Sequence, residues 1–158
     1  MANQTQRPDT ALHNTSHLMQ YHDLIESIVA AMDARDAYTA KHSDRVADMV
    51  LVLATALDLS EDETTLLHMA AHLHDIGKIA VPDSVLRKAG PLTRPEWEEM
   101  RRHPVTGYEI LRKIDDFKEI AILVRHHHER WDGRGYPDGL SGHDIPPGSR
   151  VIAVADSI

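Results

Sequence analysis

An all-α fold is predicted by three features of the chain. Apolar residues recur every three or four positions, serine- and threonine-led capping signals mark helix starts, and no stretch alternates convincingly with the two-residue period of a strand. The 158 residues suit one domain able to bury a core, and 42% hydrophobic residues exceeds what disordered chains carry. No internal repeat is visible.

Residues 1–19 are polar at first and aperiodic, and read as a flexible leader ahead of a domain spanning 20–158. A helical pattern starts near Leu18 and places Leu24, Ile25, Ile28, Val29 and Met32 on one face. A break is expected at Asp33–Asp36. The next helix runs from about Tyr38 to Leu57, with His42, Val46, Met49, Val50, Leu53 and Leu57 spaced by three or four. Ser60-Glu61-Asp62-Glu63 reads as a capping box, in which serine and glutamate each satisfy a free backbone N–H. The helix it opens should reach Asp75 or Ile76 and stop at Gly77.

Residues 79–92 hold Pro82, Gly90 and Pro91 and read as a loop. Thr93-Arg94-Pro95-Glu96 is a second capping box, and helical segments follow over 94–101, 104–113 and 116–127. Trp131–Ser149 contains five of the eight glycines and three of the eight prolines, which predicts a long ordered loop. Arg150–Ile158 regain an apolar pattern and look like the start of another helix.

Composition narrows function. With 17 basic and 25 acidic residues the net charge is −8, which argues against DNA or RNA binding through a basic face. A small phosphate ester stays open, because metal ions reverse the local sign. The absence of cysteine excludes disulfides and thiolate metal sites. No apolar run approaches the ~18 residues that cross a bilayer. No membrane association and a cytoplasmic location are expected. The twelve histidines, against one Phe, two Trp and four Tyr, leave an aliphatic core with abundant imidazole.

Those histidines fall in patterned segments. His74-Asp75 sits at the end of an apolar helix, where imidazole nitrogen and a carboxylate able to bridge two cations lie side by side. His42 is on the inward side of the preceding helix. His103 stands before Pro104 at a helix junction, His126-His127-His128 closes another helix, and Asp156 follows the apolar run Val151–Ala155. Each has an ordinary explanation alone: a hydrogen-bonded core histidine, a residue favoured by the helix dipole, an exposed acid. All five together point to a shared metal site.

Tyr38-Thr39-Ala40-Lys41-His42-Ser43, His74-Asp75-Ile76-Gly77-Lys78, the run His127–Pro137 (HHERWDGRGYP) and Ala153-Val154-Ala155-Asp156 resemble the HD-GYP family of the HD superfamily of metal-dependent phosphohydrolases. Gly135-Tyr136-Pro137 matches its name-giving triplet. The resemblance implies an HD-type helical bundle with a long Gly/Pro-rich GYP loop. It also implies a cyclic di-GMP phosphodiesterase yielding pGpG and, in some members, GMP. By motif, His42, His74, Asp75 and Asp156 would hold one divalent ion, and Asp75 would bridge to a second on His103, His127 and His128. Iron or manganese is the family's metal; the mixed ligands also suit zinc. Asp75 and Lys78 would serve catalysis, and Lys78, Tyr136 and Gly135 would meet the substrate, Gly133 and Gly135 giving the loop its backbone freedom. His126 would be a bystander. A regulatory protein partner or homodimer is the further expectation.

Two departures matter. Some members carry a glutamate where this chain has Tyr38, so two metals are expected and not three. The family pattern continues past Ile158, so the domain is expected to be incomplete at its C-terminus, lacking closing helices and basic residues, with Asp156 near a fraying end. Two other readings compete: a catalytically impaired binding or scaffold module, and an HD phosphohydrolase of another nucleotide.

Overall fold

The computed structural model describes residues 21–35 and 41–158, and over these the fold is all-α. The expectations placed on residues 1–19 and on Tyr38 fall outside the described residues. Eight α-helices position the site: α1 His22–Arg35, α2 His42–Ala56, α3 Glu61–Leu73, α4 Asp83–Leu86, α5 Arg94–Met100, α6 His103–Leu111, α7 Lys118–His126 and α8 Pro147–Asp156. Short 3₁₀ turns occupy Ile76–Ala80, Asp115–Phe117 and Gly142–Asp144. No helix among the described residues is long and apolar enough to cross a membrane.

The core is aliphatic. Val46 and Val50 of α2, Leu73 of α3, Ile120 and Val124 of α7 and Ile152 of α8 are all almost fully buried in one cluster. Helices α2 and α3 form the most extensive pairing, and α8 packs on α2 and α3, which brings Asp156 back to the start of the bundle. Both capping boxes form: Glu63 Oε2 accepts the Ser60 N–H at 2.9 Å, and Glu96 Oε2 accepts that of Thr93 at 2.7 Å. Each such cap contributes about 1 kcal/mol.

Several boundaries differ from the sequence reading. The break expected at Asp33 does not occur there, because α1 runs through Arg35. Asp33 stays helical while its Oδ2 accepts the Lys41 N–H at 2.8 Å, so its carboxylate serves the start of α2. Helix α3 ends at Leu73, two residues early, and the chain tightens into the 76–80 turn. Gly77 is not a simple stop. A Cβ there would lie 1.8 Å from the His103 carbonyl oxygen, so only glycine lets this turn lie flat on the start of α6. The 79–92 segment is not all loop, since it contains α4. Arg35 holds the turn from the other side: its guanidinium donates to the carbonyls of Lys78, Ile79 and Val81 at 3.0, 2.7 and 2.6 Å.

Candidate metal centre

Three histidines from three different helix ends share one local arrangement. His74 follows α3, His103 opens α6 and His127 follows α7. Each places its Nδ1 on the carbonyl three residues earlier: His74 on Ala71 at 2.6 Å, His103 on Met100 at 2.8 Å, His127 on Val124 at 2.6 Å. A carbonyl only accepts, so each ring carries a proton on Nδ1 and turns Nε2 inward. All three residues are at most 2% exposed.

The inward nitrogens converge on Asp75. His103 Nε2 lies 3.4 Å from Asp75 Oδ1, and His74 Nε2 lies 3.3 Å from Oδ2. His103 Nε2 and His127 Nε2 face each other at 3.4 Å, although each ring has already committed an N–H to the backbone. His74 Nε2 is buried without a hydrogen-bond partner among the described residues. Buried polar atoms are normally partnered, and metal-bound histidines characteristically give their second nitrogen to a carbonyl. The donor set therefore fits a metal ion.

Two groupings meet the spacing that one ion needs. His42, His74 and Asp75 offer ligand atoms within 4.8 Å of one another, as do His103, His127 and His128. Asp156 joins the first: its Oδ1 is 2.9 Å from His42 Nε2 and 3.6 Å from His74 Nε2. It is the last residue of α8, its side chain is 21% exposed, and α8 packs against α2 and α3. All seven residues expected as ligands are thus brought together around Asp75.

Electrostatics follow burial. Desolvation pulls His103 down to about 4, His127 to about 3 and His128 to about 3, so all three offer lone pairs at neutral pH. Burial also opposes a charge on His74, but Asp75 and Asp156 beside it outweigh this and raise it to about 10. Burial alone would raise the Asp75 carboxyl; His74 and Lys78 instead hold it well below the usual carboxylate range.

Lys78 does not reach into open space: its ammonium lies 2.6 Å from Asp75 Oδ2. A cavity of about 280 Å³ opens beside these two residues, walled by apolar side chains such as Ile28, Met32 and Ile79. Tyr136 packs over His128, with ring centroids 4.8 Å apart, and Arg101 covers the tyrosine ring at 4.6 Å. Burial pushes the Tyr136 hydroxyl up to about 12, so it remains a donor. Gly135 differs from its expected job. Gly133 has the positive φ, whereas Gly135 is needed because a Cβ would sit 2.3 Å from the Arg130 nitrogen.

Residues that carry the loop were missed. Glu129, 5% exposed, accepts the backbone N–H groups of Asp138 at 2.7 Å and Gly139 at 3.0 Å. A buried glutamate inside HHERW was the available signal. His126 stays outside both ligand groupings, as expected, and with Arg125 it binds Asp138, at 3.0 and 2.7 Å, fastening the loop to α7.

Known proteins resemble this arrangement. An HD domain family model matches residues 22–157. The chain is 45% identical over 136 residues to the "Cyclic di-GMP phosphodiesterase response regulator RpfG" of Xanthomonas campestris pv. campestris, covering 85% of this chain and 36% of that protein. It is 42% identical over 139 residues to "3'3'-cGAMP-specific phosphodiesterase 2" of Vibrio cholerae, covering 85% and 26%. It is 40% identical over 140 residues to a "Cyclic di-GMP phosphodiesterase" of Thermotoga maritima, covering 85% and 37%. The chain thus spans only about a quarter to just over a third of these relatives' length. The solved structure of Bd1817, a HDG"Y"P protein from Bdellovibrio bacteriovorus, superposes with a TM-score of 0.65 at 21% identity, covering 90% of this chain and 55% of that one. It shares the fold. Since the family model extends over nearly every described residue and the relatives repeat its sequence at 40% identity or more, the chain belongs to the HD domain family.

Proposed function

We propose that this chain is a metal-dependent phosphodiesterase that opens cyclic di-GMP to pGpG, and onward to GMP, in bacterial second-messenger signalling. The observation that carries the reading is the set of buried, backbone-tethered imidazoles aimed at Asp75. His42, His74, Asp75 and Asp156 would hold one divalent ion; Asp75, shared, with His103, His127 and His128 would hold the other. Iron or manganese is the proposed pair, two ions and not three. Bound there, such ions polarise phosphoryl oxygens and acidify water near neutral pH.

The chain's own residues do the rest. Lys78 keeps Asp75 ionised and is positioned to meet a phosphate oxygen. Tyr136, neutral and held between His128 and Arg101, offers its hydroxyl to a guanine nucleotide. Gly135 lets the loop carrying it close on Glu129 and Arg130. A regulatory protein or a second copy of the chain is the proposed partner. The relatives' names divide between cyclic di-GMP and 3'3'-cGAMP, which supports a second reading in which the mixed dinucleotide is the substrate.

Anaerobic purification, a count of bound metal and hydrolysis assays on both dinucleotides test this. Asp75→Ala is expected to lose metal from both halves and to slow hydrolysis on the order of a thousandfold, the scale of several kcal/mol of metal assistance. Turnover that survives Asp75→Ala would overturn the bridging role. Metal without turnover of either dinucleotide would favour a binding module.

A further inference from the structure

His22, His68 and His72 lie outside the cluster just described and have no part in it. His68 and His72 stand four residues apart on α3, so they share one face of the helix, and their ring centroids are 4.7 Å apart. His22, at the start of α1, faces both, with centroids 6.4 Å from His68 and 6.2 Å from His72. Imidazoles sharing a four-coordinate ion at about 2.1 Å per nitrogen would have centroids roughly 5–6 Å apart, so small side-chain rotations suffice.

His72 is 8% exposed, and its Nδ1 is buried with no hydrogen-bond partner among the described residues. The nearest acid is Asp44, whose Oδ1 stands 3.6 Å away, too long for a hydrogen bond and short enough to join a shared ion. Glu26 lies 3.7 Å from His22 Nε2 and Asp23 lies 3.7 Å from its Nδ1. Asp48 faces His68. His22, Asp23 and Glu26 alone bring ligand atoms within 4.8 Å of one another. A ring of carboxylates around three imidazoles supplies the negative charge that a divalent ion needs.

We propose that His22, His68 and His72, with Asp44 and Glu26 beside them, form a second site for a divalent ion of the zinc class, distinct from the Asp75 cluster. Mixed imidazole and carboxylate donors select borderline ions such as zinc over magnesium or calcium. The site joins α1 to α3 through donors other than the Asp75 ligands, although His72 and Asp75 line one cavity, and it does not depend on whether those ligands bind metal.

Equilibrium dialysis against zinc chloride followed by elemental counting tests it, in the wild-type chain and in Asp75→Ala, each with and without His68→Asn. His68→Asn is expected to remove one zinc equivalent in both backgrounds. In the Asp75→Ala background, cobalt substitution should give a visible d–d band that His68→Asn abolishes. His22→Asn, a half-exposed position on α1, repeats the test where His68→Asn fails to fold, and should weaken zinc by more than about tenfold. Zinc contents equal to wild type in these variants would overturn the proposal, as would a difference that disappears in the Asp75→Ala background.

Discussion

Two groups of histidines, each with a member near the end of α3, are built in opposite ways. His74, with His103 and His127, is tethered by Nδ1 to the helix carbonyl three residues back and is almost sealed from solvent. His72, two residues away, leaves Nδ1 without a hydrogen-bond partner among the described residues and meets a ring from α1 and a carboxylate from α2. The first group has its tautomer and direction set before any ligand arrives, which is how a site of fixed geometry is made. The second is held only by loose ring contacts and peripheral charges, so its geometry would be completed by what it binds. Burial separates them further, since the tethered histidines sit where backbone segments meet.

That contrast can be broken first at Gly77. Gly77→Ala inserts a methyl against the His103 carbonyl, so the turn must lift and carry Asp75 away from His103. Chemical denaturation should show a loss of about 3 kcal/mol, with metal lost from the tethered cluster and zinc retained at His68 and His72. A smaller effect is expected at Glu129. Glu129→Ala leaves the amides of Asp138 and Gly139 without their acceptor, a cost of about 2 kcal/mol. Hydrogen exchange should then quicken at those two amides, and KM should rise more than kcat falls, because Tyr136 rides on the same loop. The smallest effect sharpens the other side. His68→Asn removes an untethered, partly exposed ring and should shift metal-free stability by no more than about 0.5 kcal/mol in a thermal melt.

Much of the fold was legible because it rests on local rules. The apolar spacing of α2 and α3 and the capping boxes at Ser60 and Thr93 depend on residues close in sequence. The breaks were less so. Asp33 and Gly77 looked like local stop signals, yet Asp33 stays helical while bonding Lys41, and Gly77 is shaped by contact with His103. Arg35 gave no signal at all, because its task is to satisfy carbonyls of a turn more than 40 residues away. At the site, the seven proposed ligands were readable from motif resemblance, whereas their common tether was not. Each tether joins a histidine to a carbonyl three residues earlier, a contact that depends on how the helix end is finished. Glu129 and Asp138 were hidden for a similar reason: their partners are loop amides and side chains brought near by folding.

The tethers themselves can be observed. Long-range proton–nitrogen correlation NMR on histidine-labelled, metal-free protein, repeated as zinc is added, reads both ring nitrogens of each residue. His103 and His127 should appear as Nδ1–H tautomers, and zinc should move their Nε2 resonances and that of His74 while Nδ1 stays protonated. Nε2–H tautomers at His103 and His127, or zinc shifts at Nδ1 with Nε2 unmoved, would contradict a centre built from inward-facing Nε2 atoms.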